Sequence, residues 1–372
     1  MKTSILLTIF ISTFFCSCGQ HKPDAINNVV NFDTLINHFK EYSYKNDTIK
    51  LPLIYKNNNY KIVLSDNPIF VNLDDTVLKN PFGNKYPLSY SVIFHDNLVA
   101  LFEPGNFACY KLPSLERNIK LEMKLNTKKF QYHWIFGNKL IGQYNNENYF
   151  FNTDFDWEPY HDVIPLKKQP KLFEDDKYII FSDCHGEWGG TVYFYNKSTQ
   201  IIYFTEATCA NTIINRDKKY FVLSDLGHMS GNSDLKEIDN PEKLPTVNEN
   251  RINKTYKGQA LGYTDSSRQT KSIFDFYSIQ IFSSFPCVGK TFYLTNWRER
   301  TFLAEIRDST LSIVNPLFND DLYTHRPMTT TYDKSTLINL DFYGIAGERE
   351  VSVLIIDGNK VTRIDWNEKH NR

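Results

Sequence analysis

The sequence predicts an all-β fold of repeated four-stranded sheets, and three observations carry that expectation. First, the segment Lys177-Tyr-Ile-Ile-Phe-Ser-Asp183 returns 42 residues later as Lys219-Tyr-Phe-Val-Leu-Ser-Asp225. Looser relatives are Asn97-Leu-Val-Ala-Leu-Phe-Glu103, Asn138-Lys-Leu-Ile-Gly-Gln-Tyr-Asn145, Lys290-Thr-Phe-Tyr-Leu-Thr-Asn296 and Ser335-Thr-Leu-Ile-Asn-Leu-Asp341. Each is a strand-length apolar run closed by a carboxylate or an amide. Second, the surroundings repeat as quartets of strands, about five residues each, at roughly forty-residue spacing. Third, turn signals such as Phe136-Gly-Asn, Tyr195-Asn-Lys-Ser and Asp357-Gly-Asn separate the strands. One such sheet cannot bury both faces alone. Sheets stacked around a ring can, and closure protects their edges. The predicted fold is therefore a β-propeller of six or seven four-stranded blades. A β-sandwich would supply short strands without the forty-residue beat. A helical solenoid needs 3.6-periodic stripes, and the sequence offers only one, at Phe32–Glu41.

In chain order, Lys2 precedes an apolar run from Ile5 to Phe15, which ends at Cys16-Ser17-Cys18-Gly19. One cation, a short apolar stretch and small residues are the layout of a secretory signal, and the run falls short of the roughly 20 residues of a spanning helix. Ser17-Cys18-Gly19 resembles the lipobox of bacterial lipoproteins, with Phe15 standing where Leu is usual. The resemblance implies that residues 1–17 are removed and that Cys18 is lipidated. The membrane is then a partner through that anchor, and the bacterial cell envelope is the expected location, at the outer membrane or cell surface rather than free in the periplasm. A signal cleaved without lipid attachment is the alternative. Residues 18–47 read as a tether, polar over Gln20 to Asn28, followed by the short helix. No later apolar stretch is long enough to span a membrane.

Residues 48–372 make up the expected propeller. The segment 48–73 offers three strands, Ile49–Tyr55, Tyr60–Leu64 and Ile69–Leu73, as a seventh blade or as strands that close the ring. The first quartet is Tyr90–Phe94, Leu98–Phe102, Phe107–Leu112 and Asn118–Met123. Further quartets are expected in 130–164, 171–205, 211–247, 278–315 and 327–366. Residues from about 248 to 277 interrupt the beat and read as a polar insertion.

Composition narrows the function classes. Gly and Pro are few (16 and 15 of 372 residues), which excludes a collagenous chain, and 41% hydrophobic content excludes a disordered one. Lys and Arg number 42 against 43 Asp and Glu, so no basic excess points to nucleic acid or to a polybasic membrane clamp. Once the leader is removed, four thiols remain unmodified: Cys109, Cys184, Cys209 and Cys287. Export permits disulfides, and of the three connectivities Cys184 with Cys209 is preferred, because each follows a strand within one repeat region. Four buried free thiols stand beside it as the alternative.

The candidate chemistry sits in loops. In a blade, the turns between second and third strands share a face with the connections between blades, so Glu103, Asn145, Asp183, Asp225, Asn296 and Asp341 would ring that face. Strand-end capping by Asx side chains is the plainer explanation for these residues. The loop Asp183-Cys184-His185-Gly186-Glu187-Trp188-Gly189-Gly190 gathers two carboxylates, an imidazole and an indole. One blade later comes Asp225-Leu-Gly-His228-Met-Ser230-Gly231, then Asn296-Trp297-Arg298-Glu299-Arg300, and last Tyr343-Gly-Ile-Ala-Gly-Glu348-Arg349. Asp183, Trp188, Asp225, Asn296, Trp297, Arg298 and Arg349 are the expected ligand contacts, through stacking and bidentate hydrogen bonds. His185, His228 and Glu187 are acid/base candidates.

Catalytic signatures are otherwise missing: there is no HExxH, GxSxG or GxGxxG. Gly289-Lys290-Thr291 imitates the end of a phosphate loop, but Ser284 occupies the first glycine position and a strand follows. No cysteine or histidine spacing suggests a metal site, and no cofactor is expected. The expected function is a lipid-anchored envelope module that binds a glycan, a peptide or an envelope protein, or acts as a scaffold. The alternative is a carbohydrate hydrolase or lyase using His185 and His228.

Overall fold

A computed structural model describes residues 29–42, 49–83, 87–165, 170–228, 231–247, 254–287, 289–340 and 352–366. The signal segment, Cys18 and the polar tether lie outside these residues, as do Asp341, Glu348 and Arg349.

The described strands form a six-bladed β-propeller. Blade 1 is Val92–Phe94, Asn97–Phe102 and Asn106–Lys111; blade 2 is Tyr132–Phe136, Lys139–Tyr144, Glu147–Phe151 and Trp157–Pro159. Blade 3 is Lys171–Glu174, Tyr178–Cys184, Gly190–Asn196 and Ile202–Glu206; blade 4 is Ala210–Arg216, Lys219–Leu226, Asn232–Ile238 and Thr270–Tyr277. Blade 5 is Gln280–Cys287, Lys290–Trp297, Arg300–Arg307 and Thr310–Asn315; blade 6 is Met328–Thr331, Thr336–Asn339, Ser352–Asp357 and Lys360–Asp365. Within each blade the neighbours are antiparallel. The first strand lies innermost, and those of blades 3, 4, 5 and 6 touch across the axis.

Burial on both faces explains the repeat. In blade 1, Leu98, Ala100 and Phe102 face Leu337, Val353 and Ile355 of blade 6, while Val99 and Leu101 face Leu140 and Phe151 of blade 2. In blade 3, Ile179 and Phe181 face blade 2 while Ile180 faces blade 4. Strands buried on both sides read as continuous apolar runs rather than as alternation. Apolar clusters also fill the blade 4/5 and 5/6 junctions, so the described core is six inter-blade layers joined in a circle. Tight hairpins join many strands. His95-Asp96, Asn145-Asn146, Asp217-Lys218, Arg298-Glu299 and Asp308-Ser309 hold positive φ at both residues, the conformation that matches strand twist.

Three expectations are corrected. The segment 48–73 does not make a seventh blade. Its strands Leu53–Lys56 and Lys61–Leu64 extend the outer edge of blade 5, with Lys61–Leu64 parallel to Thr310–Asn315. The third strand, Asn72–Val77, adds in parallel to Lys360–Asp365 at the outer edge of blade 6.

The expected strand Asn118–Met123 is instead helix α2, Ile119–Leu125. Its Leu, Lys, Glu and Met are straight-chain helix formers, and Leu121 and Leu125 bury one helix face. A single backbone bridge, Tyr110 with Arg117, covers one end of the edge that a fourth strand would have covered, and side chains satisfy the rest. Asn126 accepts from Phe107 N at 2.6 Å and donates to Phe107 O at 2.9 Å, as a neighbouring peptide would. Glu122 accepts from Cys109 N at 3.0 Å and is clamped by Arg117 at 2.8 and 2.7 Å.

The insertion is the third correction. Thr270–Tyr277 belongs to blade 4 as its fourth strand, and ahead of it the hairpin Lys254–Tyr256 and Gln259–Gly262 lies on blade 3, where Gly262 meets Thr191.

Helix α1, Asp33–Glu41, forms where expected and buries Leu35 and Phe39 against blade 5. Among the described residues no helix is long and apolar enough to cross a membrane. Cys184 and Cys209 form a disulfide with Cα atoms 4.4 Å apart, and Cys109 and Cys287 are buried free thiols.

Arg363 fastens the N-terminal strand to the last blade. Its guanidinium, 4% exposed, donates from Nε to Asp75 Oδ1 at 2.9 Å, from Nη2 to Asp75 Oδ2, and from Nη1 to Asp320 Oδ2 at 3.1 Å. It also lies 4.4 Å from the Phe318 ring centroid. Arg363→Ala is expected to cost about 2–3 kcal/mol of unfolding free energy, because the buried guanidinium's fork on half-exposed Asp75 and a ring contact are lost together. Arg363→Lys should lose a smaller part, since it keeps the charge but not the fork. Urea midpoints measure both, and an unchanged midpoint for Arg363→Ala would refute the latch.

Candidate functional site

The carboxylates and amides that close the second strands act mainly inside the blades. Asp183 accepts from Thr191 N at 2.7 Å and from Tyr193 Oη at 2.6 Å. Asp225 accepts from Ser233 Oγ at 2.9 Å and from Ile281 N at 3.2 Å. Asn296 donates to Thr301 Oγ1 at 2.9 Å and to Asp321 Oδ1 at 2.7 Å. Thr191, Ser233 and Thr301 are each the second residue of a third strand and are buried. In blades 3, 4 and 5 the polar residue that ends the repeat is thus a clamp between second and third strands. Asp225 and Asn296, both buried, replace their expected ligand contacts with this role.

Trp297 is corrected in the same way. It is 4% exposed, with its ring 4.8 Å from Phe39 of α1 and 5.1 Å from Tyr55. Arg298 lies 4.4 Å above the Trp297 ring, and its carbonyl accepts from His38 Nε2 at 2.7 Å. This corner receives the N-terminal helix.

The loop 183–190 and residues 225–228 share one face, where Glu187 Oε2 lies 3.7 Å from His228 Nδ1. His185 Nε2 is 3.5 Å from Asp183 Oδ1. Burial raises the Asp183 pKa, opposed by Tyr193, His185 and Thr191 N. The loop geometry is fixed at several points. Gly186–Trp188 is a 3₁₀ turn closed by Trp188 N to His185 O at 3.2 Å and Gly189 N to Gly186 O at 3.0 Å. The Cys184–Cys209 bridge ties its base to the entry of blade 4. At Gly190 a Cβ would meet Asp183 O at 2.6 Å and Ala207 O at 2.7 Å, so only glycine passes there.

Sequence reading missed two neighbours of this face. The Tyr256 ring from the inserted hairpin stacks on Trp188 at 4.0 Å and 19°. The His325 ring lies 6.5 Å from that of His228, and its Nε2 hydrogen-bonds Tyr323 Oη. Among the described residues no three His, Cys, Asp or Glu side chains are grouped to hold a metal ion.

The opposite mouth of the axis holds a cavity of about 650 Å³. Its walls are the inner strands of blades 1, 2, 3 and 6, and its rim is their first turns, including His95-Asp96, Asp175-Asp176 and Asp333-Lys334. First and second turns lie at opposite ends of each blade's second strand, which puts the cavity on the far side from Trp188. Tyr132 and Trp134 line one wall with rings 6.0 Å apart and nearly parallel at 17°. On another wall Lys171 donates to Glu174 Oε2 at 2.5 Å and to Ile135 O, while Lys197 reaches Glu174 Oε1 at 2.8 Å. Burial lowers the Lys171 pKa against the pull of Glu174. Burial alone would raise Glu174, but Lys171, Lys197 and Gly137 N together hold it below the usual carboxylate range. His133, hydrogen-bonded to Ser89 Oγ at 2.8 Å, is pushed down to about 4 by burial and is neutral at physiological pH. These groups carry ordinary strand-sequence signals, and nothing in the chain pattern marked them.

No protein-family profile matches the chain, and no curated protein matches it. Solved structures of similar shape include the N-terminal domain of Nup159, 10% identical, with 81% of this chain and 78% of that one aligned at a TM-score of 0.34. Virginiamycin B lyase from Staphylococcus aureus is also 10% identical, with 74% of this chain and 93% of that one covered at 0.34. PorZ of Porphyromonas gingivalis is 10% identical at 0.33 over 75% of this chain, which spans about a third (32%) of its length. These are distant likenesses of shape, and the propeller assignment rests on the six sheets themselves.

The buried clamp at Asp225 sets a pH dependence. Burial pushes its pKa up to about 7, against the hydrogen bonds from Ser233 and Ile281 N, and Oδ2 has no hydrogen-bond partner among the described residues. The folded pKa lies above the unfolded carboxylate value near 4, so the folded state holds the extra proton between those limits. Asp225 is therefore expected to reduce stability as pH rises from about 4 to about 7, by roughly 2–4 kcal/mol in all. Asp225→Asn keeps the acceptor for Ser233 and Ile281 N and should flatten that slope. Urea midpoints of both proteins across this range test it; parallel curves would contradict it.

Proposed function

We propose that the protein is a lipid-anchored binding module of the bacterial cell envelope that takes its ligand in the axial cavity. The cavity carries the reading: inner strands of four blades converge on about 650 Å³ with aromatic walls and polar rim turns. That combination suits reversible capture of a glycan or a peptide segment. The charged groups on its wall are engaged with one another, Lys171 and Lys197 both on Glu174, which favours holding a ligand over transferring a proton. Export is supported by the apolar leader and Ser17-Cys18-Gly19, and by the Cys184–Cys209 disulfide, a bond that persists in oxidising compartments. The catalytic alternative draws on the paired Asp183–His185 and Glu187–His228 groups of the other face.

Two outcomes are expected. Cys18→Ala should move the protein from the membrane fraction to the soluble envelope fraction; unchanged retention would overturn the anchor. In glycan and peptide arrays, Tyr132→Ala should weaken the retained ligand about tenfold or more, as expected for removal of an aromatic wall, while circular dichroism keeps its native β signature; the melting temperature should fall somewhat, because the ring also packs on the blade 2/3 layer. Turnover of a carbohydrate by the wild type that His185→Ala or His228→Ala abolishes, with binding intact, would replace the binding reading with the enzymatic one.

A further inference from the structure

We propose a second binding site on the face opposite the axial cavity, where Trp188 backed by Tyr256 takes one pyranose ring of a neutral oligosaccharide. The chain has five tryptophans; Trp134, Trp157, Trp297 and Trp366 are all at most 8% exposed, whereas Trp188 is 44% exposed. An exposed indole offers a partner a large, flat apolar surface with a hydrogen-bond donor at its edge. The fold half-covers it: the inserted hairpin leaves blade 4, crosses blade 3 and lays Tyr256 flat against the ring at 4.0 Å. With the indole stacked on Tyr256, the 44% of Trp188 left in solvent is the surface a ligand can cover.

The platform is rigid. Trp188 closes the 3₁₀ turn, the disulfide fixes the base of that turn, and the hairpin is pinned to the same blade by Tyr263 N donating to Thr191 Oγ1 at 3.1 Å. A flat aromatic surface that loses little freedom on binding wastes little of the contact energy. Its flanks are polar. Glu187 and His228, with side chains 44% and 52% exposed, present acceptor and donor atoms 3.7 Å apart. A pyranose matches this set: its C–H face lies on the electron-rich indole and its hydroxyls reach the carboxylate and imidazole. A cation would suit the indole alone, but Lys257 Nζ already sits 5.1 Å from the Tyr256 ring and would repel it.

The test is calorimetric titration of the full-length protein with cellohexaose, xylohexaose, mannohexaose, maltohexaose and chitohexaose. At least one is expected to bind, with affinity about tenfold or more weaker in Trp188→Ala and only a few-fold weaker in Tyr256→Ala and Trp188→Phe. Circular dichroism should show the same melting temperature for each variant, because the replaced rings lie outside the inter-blade layers. Tyr132→Ala, in the axial cavity, should leave this binding unchanged. Absence of binding by all five hexasaccharides overturns the proposal, as does binding that survives Trp188→Ala. Binding that Tyr132→Ala abolishes and Trp188→Ala spares also overturns it, while supporting the axial site. Tighter binding of spermine or of an apolar peptide through Trp188 would reassign the platform to a cation or a protein partner.

Discussion

Ring closure is the constraint on which the rest of this structure depends. Each sheet is apolar on both faces, so no blade is stable with a free side, and the blades at the two ends of the chain must meet. They do so where Leu98, Ala100, Phe102 and Tyr110 of blade 1 pack on Leu337, Val353, Ile355 and Trp366 of the blade 6 region. This layer joins segments more than 200 residues apart, so loop-closure entropy opposes it more than any layer between consecutive blades. The N-terminal strand Asn72–Val77 reinforces it from outside by adding to the last strand of blade 6, with Arg363 holding Asp75.

Closure also decides what each end of a blade can do. The inner strands are fixed against one another, and hydroxyls near the axis link blades 4, 5 and 6 through Thr212, Thr329 and Ser283 at 3.0 and 2.7 Å. Freedom remains at the turns, and the two faces use it differently. One face keeps short turns around an open cavity between blades 1, 2, 3 and 6. The other recruits long-range pieces: α1 onto Trp297, the inserted hairpin onto Trp188, and the connector carrying His325 onto His228. Both faces present aromatic rings on rigid supports, which is what a binding module needs and what a loose loop cannot supply.

Much of the fold was legible in the chain because burial on both faces imposes a strong local signal. The runs Tyr178-Ile-Ile-Phe181 and Tyr220-Phe-Val-Leu223 are apolar at every position because each position faces one neighbouring blade or the other. Pattern failed where composition and pattern disagreed. Leu121 and Leu125 kept the beat of blade 1, but their helix-forming neighbours and the side chains of Glu122 and Asn126 replaced the strand. It failed again where a long insertion split blade 4, since Thr270–Tyr277 looks like part of the interruption until its pairing with Asn232–Ile238 is seen. For the sites, the sequence could place Asp183, His185, Glu187, Trp188 and His228 near one another, because blade spacing is regular. It could not distinguish a ligand contact from a clamp at Asp225 or Asn296, since burial decides that and burial is set by the partner strand. The axial cavity was invisible, because its lining comes from four blades and from residues that look like ordinary inner strands.

Native-state hydrogen exchange across the six blades tests ring closure most directly. A closed ring predicts that amides in Asn97–Phe102 of blade 1 and Thr336–Asn339 of blade 6 exchange through the same global opening as those in Tyr178–Cys184 of blade 3. Their free energies of opening should then agree within about 1 kcal/mol and fall together with urea. Opening of blades 1 and 6 at free energies several kcal/mol below that of blade 3 would describe an open arc with fraying ends, and would contradict the account.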